Sequence, residues 1–331
     1  MSAQAVAAID IGGTKLAVTV AARQGPLLRV SQPTKREGAA DAIPLQALQL
    51  FDSACDKAGI PRDSATIAGV SSCGPFADRD GSIDIIPPNL CGGLIHSDDL
   101  PNDWTAIPLE QVLRSRFRHV HIANDCIAAL TGERHFGAAQ QEPNCAYVTW
   151  STGIGFGLCV DGHILHGKAG NAGHAGHMLL SEVSDALCGC GNRGDLEGMI
   201  AGRNLGNRLG KPLADIFVAA QNGDTAAMDV VHEAAKWFGR GLYNLVTTLD
   251  LQLVLVGGSV WRHHASLLQP LVQHEISSRF PALTGGVVVG SALLDDLVTD
   301  VGALAMAIPE DWKADWRQRR PWEQLRSITL D

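Results

Sequence analysis

Asp10-Ile11-Gly12-Gly13-Thr14-Lys15, close to the start of the chain, gathers groups that can hold a phosphate. Adjacent glycines let backbone N–H groups approach phosphate oxygens, Thr14 adds a hydroxyl donor, and Lys15 adds positive charge. Asp10, ending an apolar run, is placed to hold Mg²⁺, mostly through water as that ion prefers. The same residues also suit an ordinary hairpin turn with a surface lysine. Ser151–Gly157, "STGIGFG", is a second such stretch, with Thr152 and Gly153 at its tip. Its G-x-G would open a dinucleotide site only with a helix directly behind it. The "LCVDGHIL" that follows alternates like a strand, so a phosphate cradle between two strands is the better reading. Gly257-Gly258, after "LQLVLV", would let a ribose or base pass the backbone, or simply turn a strand into a helix. A different chemistry is set out in "GNAGHAGHMLLSEVSDALCGCGNRGDLEG", residues 170–198, where His177, Cys188 and Cys190 could share a metal ion with a fourth ligand still to be found.

These turns need strands and helices to position them. "AVAAIDIGGTKLAVTV" reads as two β-branched runs around a glycine turn, and residues 42–59 carry apolar side chains at helical spacing. "ATIAGVSSCGPF" is a buried strand entering a glycine turn, and "HVHIANDCIAALTGERHFG" is a strand, a polar corner at Asn124-Asp125 and a helix. "CAYVTWSTGIGFGLCVDGHIL" repeats the opening pattern of strand, glycine turn and strand. Periodicity is helical over about 198–249, "LQLVLVGGSVW" is a strand reaching a turn, and "GGVVVGSALLDDLVTDVGALAMA" closes with a strand and a helix. Alternating strands and helices give an α/β chain, and the two strand–glycine–strand hairpins suggest a duplicated, two-lobed architecture. The tail "DWKADWRQRRPWEQLRSITLD" mixes Trp with Arg and reads as a helix packed on its own domain, with a subunit contact as the alternative.

Composition narrows the partners. A chain of 331 residues has room for two domains. No apolar run reaches membrane-spanning length, and the first residues lack a secretory signal, so a cytoplasmic protein without a membrane partner is expected. A net charge of −9 argues against nucleic acid, whose phosphates call for a basic face. Of the eight cysteines, only Cys188 and Cys190 are spaced for shared chemistry, and the rest read as small buried hydrophobes in a reducing compartment.

Taken in order, the motifs resemble the ROK family (repressor, open reading frame, kinase) of sugar kinases, within the actin/hexokinase-like ATPase superfamily. The resemblance rests on "DIGGTK", "SSCGPF" with Gly74-Pro75, Asn89 in "PPNL", Asn124-Asp125, "TGIG", Gly176-His177, "CGCGNRGDLE" and Gly257-Gly258, and runs from about residue 6 to 308. It implies two ribonuclease-H-like lobes with the active site in a cleft between them: a small lobe of residues 1–121 and 300–331, and a large lobe of 122–299. It implies transfer of the ATP γ-phosphate to a primary, 6-type hydroxyl of a hexose or hexose-like substrate. A cyclitol kinase and a catalytically weak sugar sensor are the alternatives.

Carried over by position, the resemblance makes Asp125 the catalytic base, a carboxylate taking the proton of the sugar hydroxyl as phosphoryl transfer proceeds. Asp125 also suits the N-cap of the helix that follows. Gly74, Asn89, Asn124, His174, His177 and Glu197 join Asp125 as sugar-binding positions. Asp10, Gly12, Gly13, Thr14, Lys15, Thr152, Gly153, Gly257 and Gly258 fall at nucleotide-binding positions, with Mg²⁺ accompanying ATP. The family binds a structural zinc through one histidine and three cysteines in the pattern Gly-His … C-x-C-G-x-x-G-C-x-E. Here His177, Cys188 and Cys190 match, and Asp195 stands where the third cysteine is expected. Zinc accepts a carboxylate oxygen, so a His-Cys-Cys-Asp site is chemically sound. The family usually reads Glu-x-Gly-His where this chain has His174-Ala175-Gly176-His177, which changes the hydroxyl pattern read there. "DIGGTK" begins at residue 10, which leaves no room before it for the DNA-binding module of the family's repressors, so a kinase is expected over a regulator. The family's tendency to dimerise is the sole ground for expecting a homodimer.

Overall fold

The computed structural model describes residues 5–94 and 100–330. From the N-terminus it runs β1 (Ala5–Ile11), β2 (Lys15–Ala22), β3 (Gly25–Pro33), α1 (Ala42–Ala58), β4 (Ala65–Ser72), and the hairpin β5 (Phe76–Arg79) and β6 (Ser82–Ile85). Then come α2 (Leu109–Leu113), β7 (His119–Asn124), α3 (Asp125–Phe136), β8 (Cys145–Trp150), β9 (Ile154–Val160) and β10 (His163–Ile164). Next are α4 (Leu196–Ile200), α5 (Gly202–Leu209), α6 (Leu213–Gln221), α7 (Thr225–Leu249), β11 (Leu253–Gly257), α8 (Ser259–Ser277) and α9 (Pro281–Thr284). The chain closes with β12 (Val288–Ser291), α10 (Val298–Ala307), α11 (Glu310–Arg319) and β13 (Ser327–Thr329).

It divides into two compact units: Met1–Gly137 with His166–Ala172 and Asp296–Asp331, and Ala138–Leu165 with Gly173–Asp295. Compared with divisions at 121 and 300, α3 falls with the first unit, because it packs along α10 there.

The first unit is built on a six-stranded sheet ordered β13-β3-β2-β1-β4-β7. β1, β2 and β3 form an antiparallel meander, and β4 and β7 extend it in parallel with β1. The second unit has a five-stranded sheet ordered β10-β9-β8-β11-β12, with β8 to β10 antiparallel and β11 and β12 parallel to β8. β8 to β12 thus repeat the order and directions of β1 to β4 and β7, a duplication in line with the two hairpins and with the ribonuclease-H-like lobes that the resemblance implies.

Local chemistry explains the elements. In α1, Ile43, Ala47, Leu50, Phe51 and Ala54 recur at helical spacing and are all buried, and the helix ends at Gly59 in the left-handed conformation. Burying Leu50 or Phe51 is worth about 1.5–3 kcal/mol each. The helical stretch after residue 198 is several helices rather than one, because Gly210, Pro212 and Gly223 interrupt it. α7 begins where the Asp224 carboxylate accepts the Ala227 N–H at 3.0 Å, and buries Val231, Ala235, Phe238, Leu242 and Val246. Phe238 packs between Trp150 and Trp261 in the core of the second unit. The tail packs on its own unit: Trp312, Trp316 and Trp322 are buried, and the rings of Trp316 and Trp322 lie 6.3 and 4.9 Å from Phe136.

Candidate active site

In the first unit the candidate residues gather at the carboxyl ends of three neighbouring strands, where open α/β sheets place their ligands. Ile11 on β1 sits opposite Ser72 on β4, and Ser72 opposite Asn124 on β7. The turn after β1 is braced from the end of β3: the Thr34 hydroxyl donates to Gly12 O at 2.8 Å, and the Thr34 N–H to Thr14 O at 3.1 Å. Gly12 N–H in turn donates to Lys15 O at 3.0 Å, while Thr14 and Lys15 are exposed. Asn89 lies directly on this turn, since a Cβ added at Gly13 would stand 2.5 Å from its Nδ2. A side chain at position 13 would have to displace the Asn89 amide, so two residues assigned separately from the sequence meet here. Beyond Gly74, both backbone groups of Phe76 are taken by the Asn171 side chain, at 2.7 and 2.8 Å.

At the β7–α3 corner the cap is Asn124 rather than Asp125. The Asn124 side-chain oxygen accepts the Cys126 N–H at 3.0 Å, and Asp125 occupies the first helical position. Asp125 Oδ1 accepts the same N–H at 2.8 Å, which fixes its carboxylate at the helix start.

Asp10 has partners that no local pattern announces. Thr299, at the start of α10, donates to its Oδ2 at 3.1 Å. The next residue, buried Asp300, accepts Arg29 Nε at 2.8 Å and the Thr19 hydroxyl at 3.2 Å. Burial, and then the nearby Asp300 carboxylate, push Asp10 up to about 7, against the opposing effects of Thr299 and Arg29. A carboxyl that titrates higher folded than unfolded stabilises the fold fully below its unfolded value, near 4, and that contribution is lost as pH rises through about 7. Without divalent cations, stability should therefore fall between about pH 4 and 7, and Asp10→Asn should remove much of the fall. At pH 8 the variant should gain about 2–4 kcal/mol in urea unfolding. Parallel pH profiles for the two proteins would show that Asp10 is not the titrating group.

The second unit repeats the arrangement of turns. The 151–153 turn joins β8 to β9, with Ser151 N–H bonded to Gly153 O at 3.0 Å and Thr152 exposed. Gly257 on β11 pairs with Thr149 on β8, and Gly258 opens α8. The hydroxyls of Ser151 and Ser259 lie 3.3 Å apart, so both glycine turns share one end of this sheet. Glu197, on α4, reaches the first of them: its Oε2 accepts the Ile154 N–H at 2.9 Å, while Oε1 lies 3.2 Å from Cys188 Sγ.

His177, Cys188, Cys190 and Asp195 converge, each offering one donor atom, all within 4.8 Å of one another. His177 Nδ1 lies 3.2 Å from Asp195 Oδ2 and 3.6 Å from Cys188 Sγ, and Cys190 Sγ is 3.6 Å from the same carboxylate oxygen. A tetrahedral zinc with bonds of about 2.0–2.3 Å separates its ligands by roughly 3.3–3.8 Å, so this donor set fits such an ion. The sequence builds the loop locally. Asn192 O accepts the Cys188 N–H at 2.8 Å, and Cys188 O accepts the Gly191 N–H at 3.0 Å. Asp195 is fully buried, and its second oxygen caps α4 by accepting the Gly198 N–H at 2.7 Å, which holds the carboxylate toward the other donors. With no cation, burial and then the adjacent Glu197 push the Cys188 thiol well above the ordinary range. His174 precedes the single 3₁₀ turn Ala175–His177, and its ring lies near-parallel to that of His177, with centroids 6.2 Å apart.

The sequence singled out the turns, the corner carboxylate and the four side chains that converge as potential metal donors. It missed Thr299, Asp300 and Arg29 around Asp10, Asn171 against Phe76, and the grip of Glu197 on Ile154.

Comparison with known proteins agrees with this geometry. An N-acetylmannosamine kinase of Citrobacter koseri is 33% identical over 76% of this chain and 82% of its own. The ROK hexokinase structure from Thermus thermophilus is 29% identical, covers 92% of this chain and 97% of its own, and superimposes with a TM-score of 0.76. The ROK glucokinase of Streptomyces griseus, solved with glucose and AMPPNP, is 26% identical over 92% of this chain and 99% of its own, with a TM-score of 0.66. The ROK family model matches residues 6–309. With nearly the whole length matched and the motifs at the ends of the expected strands, this chain belongs to the ROK family.

Proposed function

We propose that this chain transfers the γ-phosphate of ATP to the primary hydroxyl of a hexose or hexose-like sugar, in the cytoplasm. The observation that carries the reading is the row of strand ends in the first unit, which sets the 12–14 turn, Asn89 and the fixed carboxylate of Asp125 side by side. Relatives named hexokinase, glucokinase and N-acetylmannosamine kinase support a hexose or amino-sugar acceptor.

In this mechanism Asp125 accepts the proton of the sugar hydroxyl as its oxygen attacks the γ-phosphorus and the ADP oxygen leaves in line. Asn124, Asn89 and the backbone near Gly74 orient the sugar through hydrogen bonds, which converts an encounter into a positioned reaction. In the first unit the Gly13 and Thr14 N–H groups, the Thr14 hydroxyl and Lys15 suit phosphate oxygens, and in the second unit the 151–153 and 257–258 turns, with the Thr152 hydroxyl, offer a cradle of the same kind. Asp10 would hold the Mg²⁺ that accompanies ATP, and that ion would supply charge neutralisation at the phosphates. His177, Cys188, Cys190 and Asp195 would hold a structural zinc, an ion suited to mixed sulfur, nitrogen and oxygen donors.

His174 sets the hydroxyl pattern that this kinase reads. A glutamate there would accept two hydrogen bonds, whereas a neutral imidazole offers one donor and one acceptor. Sugars presenting an acceptor, such as an N-acetyl group, or lacking one equatorial hydroxyl should therefore benefit. The test is ATP consumption with glucose, mannose, N-acetylmannosamine and a cyclitol, for the wild type and His174→Glu. Restoring glutamate should shift kcat/KM toward glucose or mannose by roughly ten- to hundredfold relative to the native preference. An unchanged ranking would remove His174 from substrate reading. ATP consumption with none of them would leave a sugar-binding sensor as the better account.

A further inference from the structure

The hairpin of β5 and β6 separates two positions of the proposed sugar site, Gly74 just before it and Asn89 shortly after it. We propose that Asn171, on the His166–Ala172 segment of the first unit, is a positioning residue that fixes the base of this hairpin and thereby sets sugar affinity. The inference rests on the reading of this unit's strand ends as a sugar site.

β5 and β6 pair over only four residues each, Phe76 to Arg79 against Ser82 to Ile85, and a hairpin of that size is marginal alone. Its base is the pair Phe76 and Ile85, whose backbone groups both point outward. On one side Ile85 exchanges two hydrogen bonds with Ile107, at 3.0 and 2.9 Å. On the other, Asn171 Oδ1 accepts the Phe76 N–H at 2.7 Å, and Asn171 Nδ2 donates to Phe76 O at 2.8 Å. A carboxamide carries a donor and an acceptor side by side, so one side chain does here what a strand residue does on the opposite edge. Pro75 O accepts the Ile86 N–H at 2.8 Å, which carries the constraint to the residues flanking the hairpin. Gly74 is thus fixed on one strand, and the approach to Asn89 on the other. Asn171 is itself presented by a closed turn, since the Ala172 N–H donates to His166 O at 3.0 Å. An added Cβ at Gly170 would stand 2.9 Å from Phe76 Cδ2, so the turn rests on the buried Phe76 ring while Asn171 holds its backbone. Removing the carboxamide takes both of these bonds from Phe76 and frees the hairpin base on that side. Gly74 and Asn89 then lose their fixed spacing, and the cost falls on sugar binding, because the 12–14 turn keeps its own brace from Thr34.

The test compares wild type, Asn171→Ala and Asn171→Asp by calorimetric binding of glucose, N-acetylmannosamine and AMPPNP, by steady-state kinetics, and by hydrogen exchange at the Phe76 amide. Asn171→Ala should weaken whichever sugar the wild type binds by about tenfold and speed Phe76 exchange by about tenfold or more. The sugar KM should rise to match, with kcat at saturating sugar and AMPPNP affinity within about threefold of wild type. Retained AMPPNP binding also shows that the variant is folded. Asn171→Asp keeps an acceptor for the Phe76 N–H but loses the donor to Phe76 O. Its Phe76 exchange should stay within about threefold of wild type, and its sugar affinity should fall between the other two. Wild-type sugar affinity in Asn171→Ala would overturn the proposal, and so would sugar and AMPPNP weakened alike, which marks a general loss of structure. Those results leave the function proposed above intact. A wild type that binds AMPPNP but neither sugar would instead sink that function, and this role for Asn171 with it.

Discussion

Asp125→Asn is expected to lower kcat by about 10²–10⁴-fold while the protein folds and binds sugar much as before. Asparagine keeps an oxygen where Asp125 Oδ1 accepts the Cys126 N–H, so the corner retains its shape. Asn124 continues to cap α3, because the cap does not depend on Asp125. What disappears is a group able to take the proton of the attacking hydroxyl. An unchanged KM for sugar with a collapsed kcat is the signature of an interaction used mainly in the transition state. Steady-state kinetics, with sugar binding measured separately, check this. Turnover within tenfold of wild type would mean that another group removes the proton.

Asp195→Ala is expected to abolish metal binding and to cost about 3–5 kcal/mol of stability. The carboxylate is fully buried and does two jobs, capping α4 through Gly198 and facing His177 and Cys190. The cap alone is worth about 1 kcal/mol, and the remainder comes from buried groups that lose their partner. Elemental analysis of chelator-free wild type should give near one zinc per chain, and Asp195→Cys should retain the ion with a third thiolate in place of the carboxylate. Were the wild type to purify without metal and melt unchanged in chelator, the loop would be held by its own hydrogen bonds, such as those joining Cys188 to Asn192 and Gly191.

Much of the site could be read from the sequence because its parts are local. A glycine turn after an apolar run, as at Gly12-Gly13 or Thr152-Gly153, marks itself by composition, and His177, Cys188, Cys190 and Asp195 lie within one loop. The duplicated hairpins likewise announced a repeated sheet architecture, which the family resemblance made ribonuclease-H-like. What stayed hidden depends on the return of distant chain. Thr299 reaches Asp10 across 289 positions, and Arg29 reaches Asp300 across 271, because α10 packs on β1 and β4 of the central sheet. Nothing in either stretch alone distinguishes these polar side chains from surface ones. The Asn124-Asp125 corner failed differently: both residue types cap helices well, and the choice between them is a matter of backbone angle at one residue. Glu197 was recognised by its place in a motif, which said nothing of the Ile154 N–H brought to it by the fold of β9.

The strand order of the first sheet also bears on how this protein avoids sticking to itself. β3 is nine residues long and would be an outer strand, with a row of unsatisfied amides and carbonyls inviting a neighbouring chain. Instead β13 lies along it from Arg29 to Ser31, while Trp316 and Arg319 donate to the carbonyls of Arg23 and Gln24 at the bend that leads into β3. These segments lie beyond residue 309, where the family match stops. They take up part of that edge with a strand of three residues, Ser327 to Thr329. The tryptophan-rich tail thus shortens the stretch of β3 that is open to pairing with another chain.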